Sequence, residues 1–235
     1  MSEPDELLTR MVQYVESTFE NGDRLPSERD LAEQFGVGRN LVRETLSKLE
    51  AYHLISMRTK ARAVVTKKEA VSLERLALLT EAGVAIDLKK ADQAVEVRRI
   101  IEISAIQSAC ERVTQQNLDR LAMILTASEA KIAAKEPINV EDELFHLEII
   151  RSTQNEILVQ LASLFYAITR QRRRRYFSSP ERCKASHAEH LKLYGALEQR
   201  NARRAIKVMG SHLQDTATYW AELAAAAPEA PLDGS

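Results

Sequence analysis

The chain has 235 residues, 45% of them hydrophobic and 29% charged, with 33 basic side chains against 34 acidic ones. That is ordinary for a water-facing protein with helical cores, and long enough for a small domain plus a larger one. No stretch approaches the run of about 18 apolar residues that a membrane span needs, and the first residues lack the basic and apolar segments of a secretion signal, so a cytoplasmic location without membrane contact is expected. Cys110 and Cys183 have none of the close spacings of a zinc knot or a redox pair, which points to free thiols in a reducing compartment.

Leu7, Leu8, Met11, Val12, Val15 and Phe19 recur at helical spacing, and Asn21-Gly22 ends that helix. Ser27 is placed to cap a short second helix, with Asp30 three residues on in the manner of a capping box, and Gly36 closes it. Gly38 or Asn40 caps a third helix, in which Leu41, Val42, Thr45, Leu46 and Leu49 alternate with polar residues at helical period. Leu54–Met57 and Ala63–Thr66 are β-prone runs around a basic tip, Arg58–Arg62. Three helices and a ribbon make a winged helix-turn-helix over residues 1–68.

The even charge balance hides a local one. Met1–Phe35 holds three basic and nine acidic residues, whereas Gly36–Lys68 holds eight and two, and such a patch governs attraction to phosphates. In a helix-turn-helix the second helix offers the side chains of its first turns to base edges in the major groove. Arg39, Asn40 and Arg43 stand there, arginine suited to guanine and asparagine to adenine. Arg29, Lys48, Arg58 and Lys60 are the expected phosphate or minor-groove partners.

Residues 69–90 read as a linker containing a helix around Leu73–Leu79. From Ala91 onward no strand pattern is evident, and helices are expected at about 91–113, 116–134, 140–152, 156–177, 184–199 and 202–226, followed by a disordered tail at 227–235. Asp142 and His146, four apart, project from one helix face. His190 and His212 lie at similar separations on either side of the break at Asn201, so a helical hairpin brings them to one height. One carboxylate and three imidazoles suit zinc, nickel, manganese or iron, with positions left for water or a ligand's carboxylate. Spacing alone equally allows an exposed Asp142–His146 pair and ordinary surface histidines, and His187, one turn before His190, is an alternative ligand. The run Arg170-Gln171-Arg172-Arg173-Arg174-Arg175 points its charges around most of a helix, so it forms no single stripe and receives no individual role.

Leu25-Pro26-Ser27-Glu28-Arg29, Leu31-Ala32, Gly36-Val37, Arg39, Val42-Arg43-Glu44, Leu46, Leu49-Glu50 and Leu54 resemble the DNA-binding domain of the GntR family of bacterial transcription regulators. The likeness implies that Arg29, Arg39 and Arg43 are principal DNA contacts and that the wing tip around Arg58, Thr59 and Lys60 enters the minor groove. Two departures stand out: Gly38 occupies a place where the family usually has Ser or Thr, and Thr59-Lys60-Ala61 replaces a glycine-rich tip.

The order Asp142-x-x-Phe145-His146, Glu189-His190, His212-Leu213 resembles the FCD effector domain of the FadR-type branch, over about Asp92–Leu223. The resemblance implies a helical bundle with a metal site made by Asp142, His146, His190 and His212 and a divalent ion, zinc foremost. Val97-Arg98-Arg99-x-x-Glu102 matches a further stretch and makes Arg98 a candidate for an effector's carboxylate; the plain alternative is a surface arginine paired with Glu102 at i+4. Asn155, at a helix break, reads as a structural cap. The expectation is a mainly α protein: a winged helix-turn-helix joined to an FCD-like effector-binding and dimerisation bundle at 91–226. It would be a homodimer on palindromic double-stranded DNA, a repressor whose operator affinity changes when a small organic acid binds. The alternative is a metal-dependent enzyme acting on a small acid. No further Glu or His stands out as its general base, and it would have no use for Arg39–Arg43, so no enzyme is expected.

Overall fold

The computed structural model describes residues 3–58, 61–66, 72–84 and 88–225, with side chains from 93 to 219 in the last stretch. The chain divides into two compact units, Met1–Ile86 and Asp87–Ser235. In the first, α1 (Glu3–Thr18) buries Leu7, Met11, Val12 and Val15. Helix α2 (Glu28–Phe35) opens on a full capping box: the Asp30 N–H donates to Ser27 Oγ, and the Ser27 N–H donates to the Asp30 carboxylate. It closes at Gly36, whose φ of 70° is left-handed and costs glycine nothing. Helix α3 (Arg39–Ala51) starts from Gly38 in extended conformation and turns Val42, Leu46 and Leu49 into the core shared with α1.

The wing pairs β1 (Ile55–Ser56) with β2 (Val64–Val65), antiparallel, Ile55 opposite Val65. The segment before α2 adds to this ribbon: Arg24 bridges Val64, the Leu25 N–H reaches Ala63 O at 2.9 Å, and the Val65 N–H reaches Asp23 O at 2.8 Å. Three residues are too few to reveal themselves by alternation, so the sequence shows this segment only as a loop. Thr59 and Lys60 at the expected wing tip lie outside the described residues, as do 227–235 of the expected tail.

Helix α4 (Leu73–Glu81), capped by Ser72, packs Leu78 and Ala82 into the first unit's core. Arg75, 6% exposed, donates to the carbonyls of His53 (3.0 Å) and Thr66 (2.6 Å) and reaches Glu16 at 3.4 Å. The helix expected within the linker is thus fastened to the winged unit, because a buried guanidinium needs those acceptors.

The second unit is helical throughout its described residues: α5 (Leu88–Arg112), α6 (Gln115–Ala133), α7 (Asn139–Arg151), α8 (Glu156–Ile168), α9 (Arg170–Tyr176), α10 (Pro180–Glu198) and α11 (Ala202–Ala225). Helix α5 packs on α11, α7 and α8, while α10 packs on α6 and α11. Ile106, Leu121, Phe145, Ile149, Leu193 and Met209 form the main core. Two boundaries differ from the sequence pattern. The segment expected as one helix over 156–177 breaks at Thr169, whose hydroxyl bonds back to Phe165 O at 3.2 Å and competes with helix continuation. Helix α10 begins four residues early because Pro180 opens it after the Ser179 cap, where a missing N–H costs nothing. Asn155 caps α8 by accepting from the Leu158 N–H.

Candidate metal centre and DNA-reading face

Capping at Ser27 and the turn through Gly36 set α3 so that its apolar stripe is buried and Arg39, Asn40 and Arg43 are exposed on its first turns. Glu28 on α2 holds Arg43 by two contacts, Nε to Oε1 at 3.2 Å and Nη2 to Oε2 at 2.7 Å, and lies 4.0 Å from Arg39. The hydrogen bond from Arg43 keeps the Glu28 carboxyl below its usual range and so ionised. Arg29 sits 3.5 Å from Asp30, and Lys48 lies exposed in the last turn of α3. Arg58, exposed after β1, joins Arg29, Arg39 and Arg62 around a cleft of about 560 Å³. Solvent screens exposed ion pairs such as these and leaves them weak, so phosphates and base edges could displace them. Glu28 and Arg62 add to the residues singled out from sequence; Glu28 is visible there only as part of the Leu25–Arg29 motif.

In the second unit, tertiary packing closes four expected ligands into one cluster. Asp142 and His146 come from α7, His190 from α10 and His212 from α11; all four are buried, and their donor atoms lie within 4.8 Å of one another. His146 Nε2 is 3.1 Å from His212 Nε2 and 3.6 Å from Asp142 Oδ1, which is 3.5 Å from His190 Nε2. His187, half-buried one turn earlier, is not part of the cluster.

The outer nitrogens explain the inward ones. His146 Nδ1 meets Glu102 Oε2, and His212 Nδ1 meets Glu189 Oε2 at 2.8 Å. A carboxylate on Nδ1 fixes the proton there and leaves Nε2 as a lone pair aimed at the centre, the usual arrangement behind imidazole ligands. His190 stacks on Phe145 with ring centroids 4.3 Å apart. Its burial, aided by His212 and His146, pushes its pKa well down and keeps it neutral. Burial opposes charge on Asp142, yet His146 and Arg98 hold it ionised. Burial also opposes protonation of His146, but Glu102 and Asp142 outweigh it and raise its pKa, so a cation bound at Nε2 would take the place of that proton. Asp142 Oδ2 has no hydrogen-bond partner among the described residues. A buried carboxylate oxygen left so, beside three converging nitrogens, fits a divalent cation.

Arg98 lies on the α5 face turned to this cluster. Its Nε pairs with Glu102 Oε1 at 2.7 Å, but inside the bundle and not on a helix surface, and its Nη2 reaches His146 Nε2 at 3.2 Å and Tyr166 OH at 3.4 Å. Arg173 lies above the Tyr166 ring, bonds Glu143 at 2.5 Å and comes within 3.9 Å of Asp142. Tyr166, Arg173 and the second role of Glu102 carry no local sequence signal, since each depends on contacts made between helices; Glu189 stands beside His190 in the motif. Arg98 and Arg173, which reach His146 and Asp142, also line a cavity of about 260 Å³ whose described lining includes none of the four cluster residues. The two further carboxylates on the imidazoles, Glu102 and Glu189, are both engaged in orienting them.

Two family models match the chain: the bacterial regulatory proteins of the gntR family over residues 9–65, and the FCD domain over residues 93–215. The transcriptional regulator LutR of Bacillus subtilis is 30% identical over 197 residues, 82% of this chain and 89% of that one. The galactonate operon transcriptional repressor of Escherichia coli is 27% identical over 167 residues, 70% of this chain and 72% of its own. The solved structure of Lar from Listeria monocytogenes has the same fold, with a TM-score of 0.72 at 16% identity, covering 95% of this chain and 98% of that one. No described helix is long and apolar enough to cross a membrane. The chain belongs to the gntR family of bacterial regulatory proteins and joins their winged helix-turn-helix to an FCD domain.

Proposed function

We propose that the protein is a ligand-responsive transcriptional repressor whose affinity for a palindromic operator changes when a small organic acid binds beside a metal ion in the FCD domain. The observation that carries this reading is the closure of Asp142, His146, His190 and His212 into one buried cluster with Arg98 at its edge, on a chain that also exposes Arg39, Asn40 and Arg43 at the start of α3. Zinc suits the donor set first; nickel, manganese or iron are the alternatives. The ion supplies a fixed positive centre that attracts a carboxylate. Arg98, held by Glu102 and Tyr166, offers guanidinium donors beside that centre, and the burial of the site excludes competing water.

The α3 arginines and asparagine read base edges, and Arg29, Lys48, Arg58, Thr59 and Lys60 grip the backbone and minor groove. A homodimer follows from the need to cover two half-sites with two-fold symmetry. Acid binding couples to the operator only through unequal affinity for the DNA-competent and incompetent states. A relative named for the galactonate operon, itself an organic acid's operon by that name, supports this class of effector. The names of the relatives favour a regulator over the metal-dependent enzyme.

Capture of fragmented genomic DNA by the purified protein at about 150 mM salt, where nonspecific phosphate binding is weakened, tests the reading. Enrichment of a palindrome that small acids release supports it. Enrichment that no acid alters removes the effector half, and a lack of enrichment with and without an acid panel removes the repressor.

A further inference from the structure

Within the second unit, the end of α7 and the starts of α6 and α8 border a cleft of about 420 Å³. Two arginines in its lining, Arg120 and Arg151, share one buried carboxylate, that of Glu148, which is 2% exposed. Glu148 Oε1 already accepts from the Asn117 amide at 2.8 Å. Arg151 Nη1 donates to Oε2 at 3.3 Å, whereas Arg120 Nη1 stands 3.8 Å from Oε1, beyond hydrogen-bond length. Both arginine side chains remain about half exposed, 51% for Arg120 and 42% for Arg151. The rest of the lining is polar apart from Val159, and includes the amides of Gln116, Gln154 and Gln160 and the carboxylate of Glu156.

We propose that this cleft binds a small phosphomonoester that also carries hydroxyl groups, its phosphate taken by Arg120 and Arg151 and its hydroxyls by the glutamine amides and Glu156. Each guanidinium is a planar fork of five donors, and one shared carboxylate leaves most of them unspent. Two forks addressing one place suit the three oxygens and double charge of a phosphate, where a carboxylate offers two oxygens and one charge. Glu156 disfavours a bare anion but accepts hydroxyl protons, and the amides both donate and accept, so the rest of the wall suits a polyol better than an alkyl chain. The volume falls within the about 300–1,000 Å³ of small-molecule sites. The site is separate from the one proposed for the organic acid, since its described lining includes none of Asp142, His146, His190 or His212.

Isothermal titration of the full-length protein with glycerol 3-phosphate, glycerate and inorganic phosphate, each with and without a chelator, decides the matter. Glycerol 3-phosphate is expected to bind at least about tenfold more tightly than glycerate, the scale of one charged hydrogen-bonded contact, and equally well with the chelator present. Arg120→Gln and Arg151→Gln should each weaken it by about tenfold or more. Either variant leaves Glu148 one guanidinium and the Asn117 amide, so the fold should stand, with melting temperature as the check. Arg120→Lys, which keeps the charge without the fork, should recover part of the loss. Glu156→Ala should narrow the advantage of glycerol 3-phosphate over inorganic phosphate. Glycerate binding as tightly as the phosphate ester overturns the proposal, as does an affinity unchanged in the Arg120→Gln, Arg151→Gln double variant. Binding that the chelator abolishes would place the ester at the Asp/His cluster and overturn it, and so would an ester that fails to bind at about 10 mM, weaker than any useful affinity.

Discussion

Arg43 illustrates how one residue can be held ready without being locked. Its bidentate contact to Glu28 fixes the guanidinium plane above the first turn of α3, while its exposure keeps the pair weak enough to exchange for a base. Arg43→Ala should lower operator affinity by about 1–3 kcal/mol, roughly fivefold to 150-fold. Fluorescence anisotropy on the recovered operator measures this, and an unchanged dissociation constant would take Arg43 out of the reading set. His190 differs in kind: it is buried, neutral and stacked on Phe145, with Nε2 turned toward Asp142 at 3.5 Å. His190→Ala should reduce the metal bound per chain, read by elemental analysis, and leave DNA binding without effector largely unaltered. Full metal retention would place the site elsewhere.

At the scale of elements, helix ends do much of the positioning. Gly38 sits at the N-cap of α3 with no side-chain cap, in a conformation that any residue adopts, and a Cβ added there meets nothing within 4 Å. Gly38→Ser should stabilise the first unit by about 0.3–1 kcal/mol, through a new cap and a less flexible unfolded chain. Hydrogen exchange of the α3 amides in the full chain would register it, and faster exchange would mean that the hydroxyl makes no cap. Arg200 acts at the other kind of end. It leaves the turn between α10 and α11 in left-handed conformation (φ 50°) and donates to the carbonyls of Cys110, Glu111 and Val113 at 3.2, 2.9 and 2.7 Å, tying off the end of α5. Arg200→Ala should cost about 1–3 kcal/mol by leaving those carbonyls short of donors, seen as an earlier urea midpoint for the second unit. An unmoved midpoint would mean that water replaces the guanidinium.

For the whole molecule, an ion held at the cluster would link metal to stability through the second unit. Its buried cluster places Asp142, His146, His190 and His212 on three helices, and an ion binding only the folded form stabilises it by mass action. Removal of the ion with a chelator should therefore speed hydrogen exchange across α7, α10 and α11 and leave α1–α3 as they were. Uniform acceleration across both units, or none, would contradict an ion held at this cluster.

Local pattern and chain order were enough for the winged unit: Ser27 and Asp30 announce the start of α2, Gly36 its end, and the apolar period of α3 leaves Arg39, Asn40 and Arg43 on the outside. These are near-neighbour effects, and the sequence states them directly. Helix geometry alone left the four members of the Asp/His cluster as one arrangement beside ordinary surface histidines, and the resemblance to the FCD domain singled them out. Tertiary structure alone decided what surrounds them. Whether Arg98 lies on a surface or inside, that Glu102 and Glu189 orient two imidazoles, that Arg173 slips beneath Asp142, and that Arg75 fastens α4 to the wing all depend on which helix faces meet. Burial then selects partners by the cost of leaving a charge or a carbonyl unpaired, and that cost exists only once distant segments have closed over it.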